Sequence, residues 1–292
     1  MTSSFTRLLH LGNVVVDVVL SVPALPEPGG DVLATGAQTA AGGGFNVMAA
    51  AARLGLAVAY GGVVGTGPFA ALALAACAAE GIAVLQPPKP GRDTGFVISI
   101  VDATGERTFL TSRGAEATLT AADLGPVRPA ALLGWLARLD DGHLVVFDPG
   151  PLAGALRADV LDPVLRRADW LTCNAREGTL LTGLTDPADA LRALAARLRR
   201  AGVLVRTGPG GCLLAQPSSP PRHVPGFAVG PVDTNGAGDA HAGAFLAALA
   251  SGAAPAEAAR QANAAAAFSV TRRGPATGPT KAELARFLAC QA

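Results

Sequence analysis

Two aspartates flank a glycine-alanine turn in the stretch GPVDTNGAGDAHAGAF, and the second of them, Asp239, leads into an alanine-rich run. Gly236, Ala237 and Gly238 are small enough for a ligand to approach the backbone, and the first N–H groups of a helix have no internal partners. With the helix dipole, those groups make an anion site. A carboxylate beside a bound phosphate is repulsive. Asp239 therefore makes chemical sense if it takes the proton from a hydroxyl that attacks the phosphate. The local residues equally allow it to cap its own helix.

Three more glycine-rich stretches invite chemistry. AAGGGFNVMAAAARLG runs into a helix with Asn46 in its first turn. Bare glycines admit a substrate, and the amide offers a polyol both a donor and an acceptor; a turn with a capping amide fits as well. LVRTGPGGCLL has the order strand, Thr207, Gly208, Gly210, Gly211. No lysine follows these glycines, so it is not a Walker loop. The turn could line a phosphate or simply join two strands of a hairpin. VAYGGVVGTGPFA matches G-x-G-x-x-A at Gly65, Gly67 and Ala70. A dinucleotide site wants an acidic residue at the end of the next strand. Here that strand, IAVLQPPKP, ends in Gln86 and two prolines, and Pro68 sits inside the turn. An NAD-dependent oxidoreductase is thus a remote alternative.

The elements that must position these residues alternate between short branched runs and longer alanine and leucine runs, the βαβα rhythm of a parallel sheet wrapped by helices. Strands are predicted at Leu8 to Val16, Val58 to Val64, Leu144 to Phe147, Trp170 to Cys173 and Val203 to Thr207. Helices are predicted at Phe45 to Leu54, Phe69 to Glu80, Pro187 to Ala201, Ala240 to Leu249, Pro255 to Thr271 and Lys281 to Cys290. Gly55, Gly81, Gly202 and Gly252 suit helix C-termini. Two extended pieces break the rhythm and suggest a lid: 30–41, and a hairpin over 94–112 turning at Asp102 to Gly105. Thr120 to Gly142 contains no strand where one is expected.

Half of the 292 residues are hydrophobic and 15% are charged, which argues against disorder. A net charge of +1 without a basic block argues against nucleic acid or an anionic membrane as partner. Cys77, Cys173, Cys212 and Cys290 show no metal or disulfide spacing and fit a reduced, cytoplasmic protein. The apolar run near the N-terminus reads as a first strand, not a signal peptide.

Together, the glycine stretches resemble the ribokinase/PfkB family of carbohydrate kinases. AAGGGFNVMAAAARLG is similar to that family's first glycine signature and DTNGAGDAHAGAF to its second, the D-T-x-G-A-G-D element. CNAREG, with Asn174 and Glu177, resembles its N-x-x-E motif, and RTGPGG its nucleotide-side T-x-G-x-x-G turn. The order agrees across nearly the whole chain.

The resemblance implies an α/β fold: a ribokinase-like three-layer sandwich, with a central mainly parallel sheet and a small β-strand lid, as one kinase domain over 1–292. It implies ATP-dependent phosphorylation of a hydroxymethyl group on a sugar, as in ribokinase or fructokinase, with a nucleoside as the alternative acceptor. Asp239 would be the base, with Gly236, Ala237 and Gly238 as the anion hole. Asp17, at the end of the first strand, would bind substrate hydroxyls with Gly43 and Asn46. Phe96 is placed with them by residue type, an aromatic on the lid that could serve a sugar or a nucleoside base. Thr207, Gly208 and Gly210 would face ATP, with Asn263 bordering the nucleotide. Asn174 and Glu177 would organise Mg²⁺ and its waters. Asp233 would stand at the family's monovalent-cation position as a ligand for K⁺, which not every member uses. A homodimer through the lid is a further implication. His241, two residues after the base, departs from the family's usual phenylalanine and reads as a packed residue, with substrate selection as the other reading. The strandless segment marks either a shortened member or an omitted stretch.

Overall fold

A computed structural model describes residues 5–104, 106–118, 136, 139, 140, 142–198, 202–217 and 219–291. Its strands β1 (Arg7–His10), β4 (Ala57–Tyr60) and β5 (Ala83–Val84) form one parallel sheet in the order β1-β4-β5. A second sheet runs β12-β11-β10-β9-β8. Here β8 (Val146–Phe147), β9 (Trp170–Asn174) and β10 (Gly202–Arg206) are parallel, while β11 (Gly211–Gln216) and β12 (Ser219–Pro225) return antiparallel. The third sheet has the order β3-β2-β6-β7: β3 (Gly36–Gly43), β2 (Val14–Ser21), β6 (Phe96–Val101) and β7 (Arg107–Ser112).

Helices cover both faces of the five-stranded sheet, and side-chain alternation divides the core between them. Trp170, Leu204, Cys212 and Leu214 point into one cluster with α1 (Gly44–Arg53), α2 (Pro68–Ala79), α6 (Ala237–Ala250) and α7 (Pro255–Ser269). Leu171, Cys173, Val203, Val205 and Ala215 point the other way. They meet Leu161 and Leu165 of α3 (Ala158–Arg167) and Leu191 and Leu194 of α5 (Pro187–Ala195). The short α4 (Ala175–Thr182) follows β9 directly, and α8 (Lys281–Cys290) closes the described chain with a Thr280–Glu283 capping box. Among the described residues no helix is long and apolar enough to cross a membrane.

Several expectations change. The strand predicted over Leu8 to Val16 is two strands in different sheets. The chain turns between them, where Asn13 O accepts from Gly44 N at 2.7 Å and the Tyr60 hydroxyl accepts from Val14 N at 3.3 Å. Asp17 consequently lies inside β2, in the lid sheet, rather than at the end of a central strand. The lid strand expected over 30–41 is β3, shifted to Gly36–Gly43, and the 94–112 hairpin is β6 and β7. Asp102 Oδ1 organises that turn, accepting from Thr104 N and Glu106 N at 2.8 and 3.1 Å. The helix expected to reach Ala201 ends as α5 at Ala195, and Gly202 opens β10 instead of closing a helix. α3, α4 and the β11–β12 pair were not among the predicted elements. Most of the Thr120 to Gly142 segment, and Gly105, lie outside the described residues.

Candidate active site

α1 and α6 pack backbone to backbone. A Cβ on Gly243 of α6 would come within 2.4 Å of Val47 O in α1, so only glycine fits this contact. Both helices begin at a glycine with positive φ, Gly43 (60°) and Gly236 (73°), and neither start is capped by a side chain. A Cβ on Gly236 would stand 1.8 Å from Pro275 O, so this turn closes against the 275 backbone.

The first i→i−4 bond of α6 is Ala240 N to Gly236 O at 2.8 Å, and Ala237 N reaches only Thr234 O, at 3.4 Å, so the opening turn keeps N–H groups without intrahelical partners. Asp239, in the same turn, accepts from Asn46 Nδ2 at 3.0 Å. That bond runs to α1, so the carboxylate is not serving as its own helix's cap. Burial pushes the Asp239 acid up to about 6, against the Asn46 bond and the nearby Arg206, which favour its ionised form. Asn46 is itself buried, and its Oδ1 has no partner among the described residues.

Asp17 closes the other side. Its carboxylate crosses the place where a Cβ on Gly42 would be, 2.2 Å from Oδ2, which accounts for glycine in β3 at that point. Burial raises its acid to about 6, and the Asn235 side chain in the loop before α6 hydrogen bonds to it. Asp17 in turn raises Asp239 electrostatically. Asp17, Asn46 and Asp239 are thus brought together beside the Gly43 and Gly236–Gly238 turns that open α1 and α6. Phe96 leaves the lid elsewhere. It is the register partner of Val16, on the face opposite Asp17, and packs on Phe69 with ring centroids 5.1 Å apart.

A second group gathers at the C-terminal ends of β8, β9 and β10, where ligands bind open α/β sheets. Arg206 ends β10, with its side chain 12% exposed. Its Nη1 donates to Asp148 Oδ2 at 3.0 Å and Thr172 Oγ1 at 2.7 Å, and its Nη2 to Glu177 Oε2 at 3.5 Å. The guanidinium lies 3.5–3.7 Å from where a Cβ on Gly238 would be, directly beside the anion-hole turn. Sequence reasoning missed Arg206, Asp148 and Thr172. The available signal was an arginine ending a buried strand and an aspartate directly after another, each followed by a glycine turn.

Asn174 and Glu177 form a reciprocal capping box on α4: Glu177 N donates to Asn174 Oδ1 at 2.8 Å and Asn174 N to Glu177 Oε2 at 2.7 Å. Burial holds the Glu177 acid above its usual range. Thr207, Gly208 and Gly210 form a self-closed turn from β10 into β11, the Thr207 hydroxyl donating to Gly211 O at 3.1 Å. Asn263 is committed to the fold. Its Nδ2 donates to Val224 O and Pro225 O at 2.9 and 3.0 Å, and its Oδ1 meets His241 Nε2 at 3.1 Å. Its amide therefore ties α7 to β12 and has no donor left for a nucleotide. His241 is buried, held neutral at about 3 by desolvation, and packed, as one of its two readings expected. Asp233 is paired with Arg107 of the lid.

The Gly65 loop cannot serve a dinucleotide. Asp93 already occupies the N-terminus of α2, accepting from Phe69 N at 3.1 Å and Ala70 N at 2.8 Å. A pyrophosphate there would meet a carboxylate. Among the described residues, no three His, Cys, Asp or Glu side chains are grouped to hold a metal ion.

Known proteins share this fold. The model of the pfkB family carbohydrate kinases matches residues 6–135 and again 126–282, the two matches meeting inside the segment read as strandless. The chain is 32% identical to a ribokinase of Haemophilus influenzae over 308 residues, covering 96% of this chain and 98% of that protein. The fold superposes on a ribokinase from Thermotoga maritima with a TM-score of 0.81 at 26% identity, over 98% of this chain and 100% of that one. It superposes equally on Arabidopsis thaliana ribokinase complexed with ribose and ATP, at TM-score 0.81 and 22% identity, covering 98% and 99% of the two chains. The architecture is thus ribokinase-like, helices on a mainly parallel central sheet.

Proposed function

The chain belongs to the pfkB family of carbohydrate kinases, and from that premise we propose that it transfers the γ-phosphoryl group of ATP to the hydroxymethyl group of a sugar. The observation that carries this reading is Asp239, with an acid near 6, held by Asn46 in the first turn of an uncapped helix. A base of that strength is largely ionised at neutral pH and sits where the N–H groups of Gly236, Ala237 and Gly238 receive negative charge.

In the reaction, the sugar oxygen bonds to the γ-phosphorus while the bond from that phosphorus to the β–γ bridging oxygen breaks. ADP leaves, and the hydroxyl proton passes to the Asp239 carboxylate. Asp17 accepts from neighbouring sugar hydroxyls, and the unpartnered Asn46 Oδ1 accepts another. Gly43 gives the sugar access to the α1 turn. Arg206 adds a fixed positive charge beside Gly238, where the transferring group carries most of its negative charge. Thr207, Gly208 and Gly210 line the nucleotide side.

Mg²⁺ entering with ATP would neutralise phosphate charge, and Asp148 and Glu177, two carboxylates sharing the single counter-charge of Arg206, would hold it through its waters. Asn174 holds Glu177 in place for that task. Asn263 shapes the β12 wall rather than touching the nucleotide. A nucleoside acceptor would need an aromatic wall, and Phe96 is turned to Phe69 instead, which favours a sugar. Phe109 and Leu110, exposed on the edge strand β7, support a homodimer through the lid, tested by light scattering of the purified protein.

The test is ADP release with ATP and Mg²⁺ over a panel of pentoses, hexoses, their phosphates and nucleosides. Turnover of a sugar is expected. A panel with no turnover, or with turnover of nucleosides alone, would overturn the reading.

A further inference from the structure

Arg107 opens the lid strand β7, and Asp233 lies 126 residues later in the loop that leads into the anion hole. The two form an ion pair whose side chains are 21% and 19% exposed. Asp233 Oδ1 also accepts from Asn235 N at 2.8 Å, and Oδ2 accepts from Gly274 N at 3.0 Å. The same loop is pinned through its backbone: Val232 N and Asp233 N donate to Val270 O at 2.7 and 3.1 Å.

A monovalent cation coordinated by Asp233 does not fit these residues. Both carboxylate oxygens already accept from N–H donors, and a guanidinium charge stands where the cation's charge would stand. Burial would raise the Asp233 acid, yet the bonds from Asn235, Gly274 and Arg107 hold it below the usual carboxylate range. The carboxylate is ionised and already compensated.

We propose that Arg107 is the resident counter-ion of Asp233, so that this chain needs no K⁺ and its lid is anchored to the loop that shapes the anion hole. A positive charge beside Asp233 keeps the 233–236 turn closed against the 270–275 backbone. Here the charge arrives on a side chain from the lid rather than from solution. The inference uses the kinase reading for its activity measurement but not for its binding measurement.

The experiment compares thermal unfolding of the wild type, Arg107→Gln and Asp233→Asn in KCl and in tetramethylammonium chloride at equal ionic strength. ATP turnover with the best sugar is followed in the same two salts. The wild type should have the same midpoint and turnover in both. Arg107→Gln should lose stability, and about tenfold in turnover, without K⁺, the loss of one charged hydrogen bond, and K⁺ should restore part of both. A K⁺-specific rise of the wild-type midpoint that Asp233→Asn abolishes overturns the proposal, and so does an Arg107→Gln protein indifferent to K⁺. Should Arg107→Gln fail to fold, the wild-type comparison decides alone. Absence of any sugar turnover counts against the kinase reading, while the unfolding data still test the counter-ion.

Discussion

Asn46 Nδ2 donates to Asp239 Oδ2 at 3.0 Å and thereby joins the first turn of α1 to the first turn of α6. One amide carries two tasks. Its donor fixes which carboxylate oxygen is engaged and leaves the other available for a proton, while its own carbonyl oxygen is buried and has no partner among the described residues. A buried polar atom without a partner is costly, and a substrate hydroxyl would remove that cost.

Replacing that amide separates the tasks. Asn46→Ala removes the bond that lowers the Asp239 acid, so the acid limb of kcat/KM should move to higher pH. It also removes a hydroxyl acceptor, so KM for the sugar should rise about tenfold, the scale of one buried hydrogen bond. A pH–rate profile of wild type and variant checks both. An unmoved limb would show that Asn46 does not tune the base.

The wild-type profile has its own signature. Asp239 and Asp17 are both raised to about 6, and the proton acceptor must be ionised to act. Turnover should therefore be near its plateau at pH 7.5 and fall as pH drops through 6. A limb near 4, the range of an ordinary carboxylate, would mean that neither aspartate is desolvated during the reaction.

The same shift has a cost in stability. Asp239 rises from an ordinary 3.8 to about 6 on folding, so between those values the folded chain holds more protons than the unfolded chain. Stability then falls as pH climbs from about 4 to about 6, and stays reduced above that. Asp239→Asn cannot ionise and keeps an oxygen for Asn46 to donate to. It should lower kcat by roughly 10²- to 10⁴-fold while retaining ATP, and gain about 1–3 kcal/mol of stability at pH 7 but little at pH 4. Calorimetry of the two proteins at both pH values measures this. A variant less stable than wild type at pH 7 would show that burial of the carboxylate is not what raises the acid.

How much of this was readable beforehand depended on the distance between partners along the chain. Gly236 to Asp239 and Gly43 to Asn46 are local patterns, small residues and one polar group at a helix start, and both stretches stood out as sequence. The box joining Asn174 and Glu177 is three residues long and equally local. Arg206 showed only as an arginine ending a buried strand, because Thr172 and Asp148, which give it meaning, are 34 and 58 positions away. The break between β1 and β2 was hidden for another reason. Gly12 and Asn13 are a short turn signal inside an otherwise apolar run, and Gly44 and Tyr60, brought in by the fold, show that the chain changes sheets there. Phe96 was assigned to the substrate by type alone, and strand register turned it away.

Arg206 provides the sharpest separation of charge from packing. Its guanidinium holds Asp148, Thr172 and Glu177 on one side and lies against Gly238 on the other. Arg206→Met leaves those carboxylates without their counter-charge and Asp239 without a neighbour that favours its ionised form. We expect kcat to fall about 10²-fold, the scale for losing one preorganised electrostatic contact, and the acid limb to move to higher pH. Stability should fall by about 2 kcal/mol or more, because partly buried carboxylates are left unpaired. Arg206→Lys keeps the charge but cannot span Asp148, Thr172 and Glu177 together. It should recover most of the pH profile and less of kcat. Guanidinium ion added to Arg206→Ala gives a further readout. Rescue of turnover at concentrations that do not unfold the protein assigns the effect to charge at Gly238. A lysine variant as impaired as methionine, with no rescue, would assign Arg206 to holding β8, β9 and α4 together.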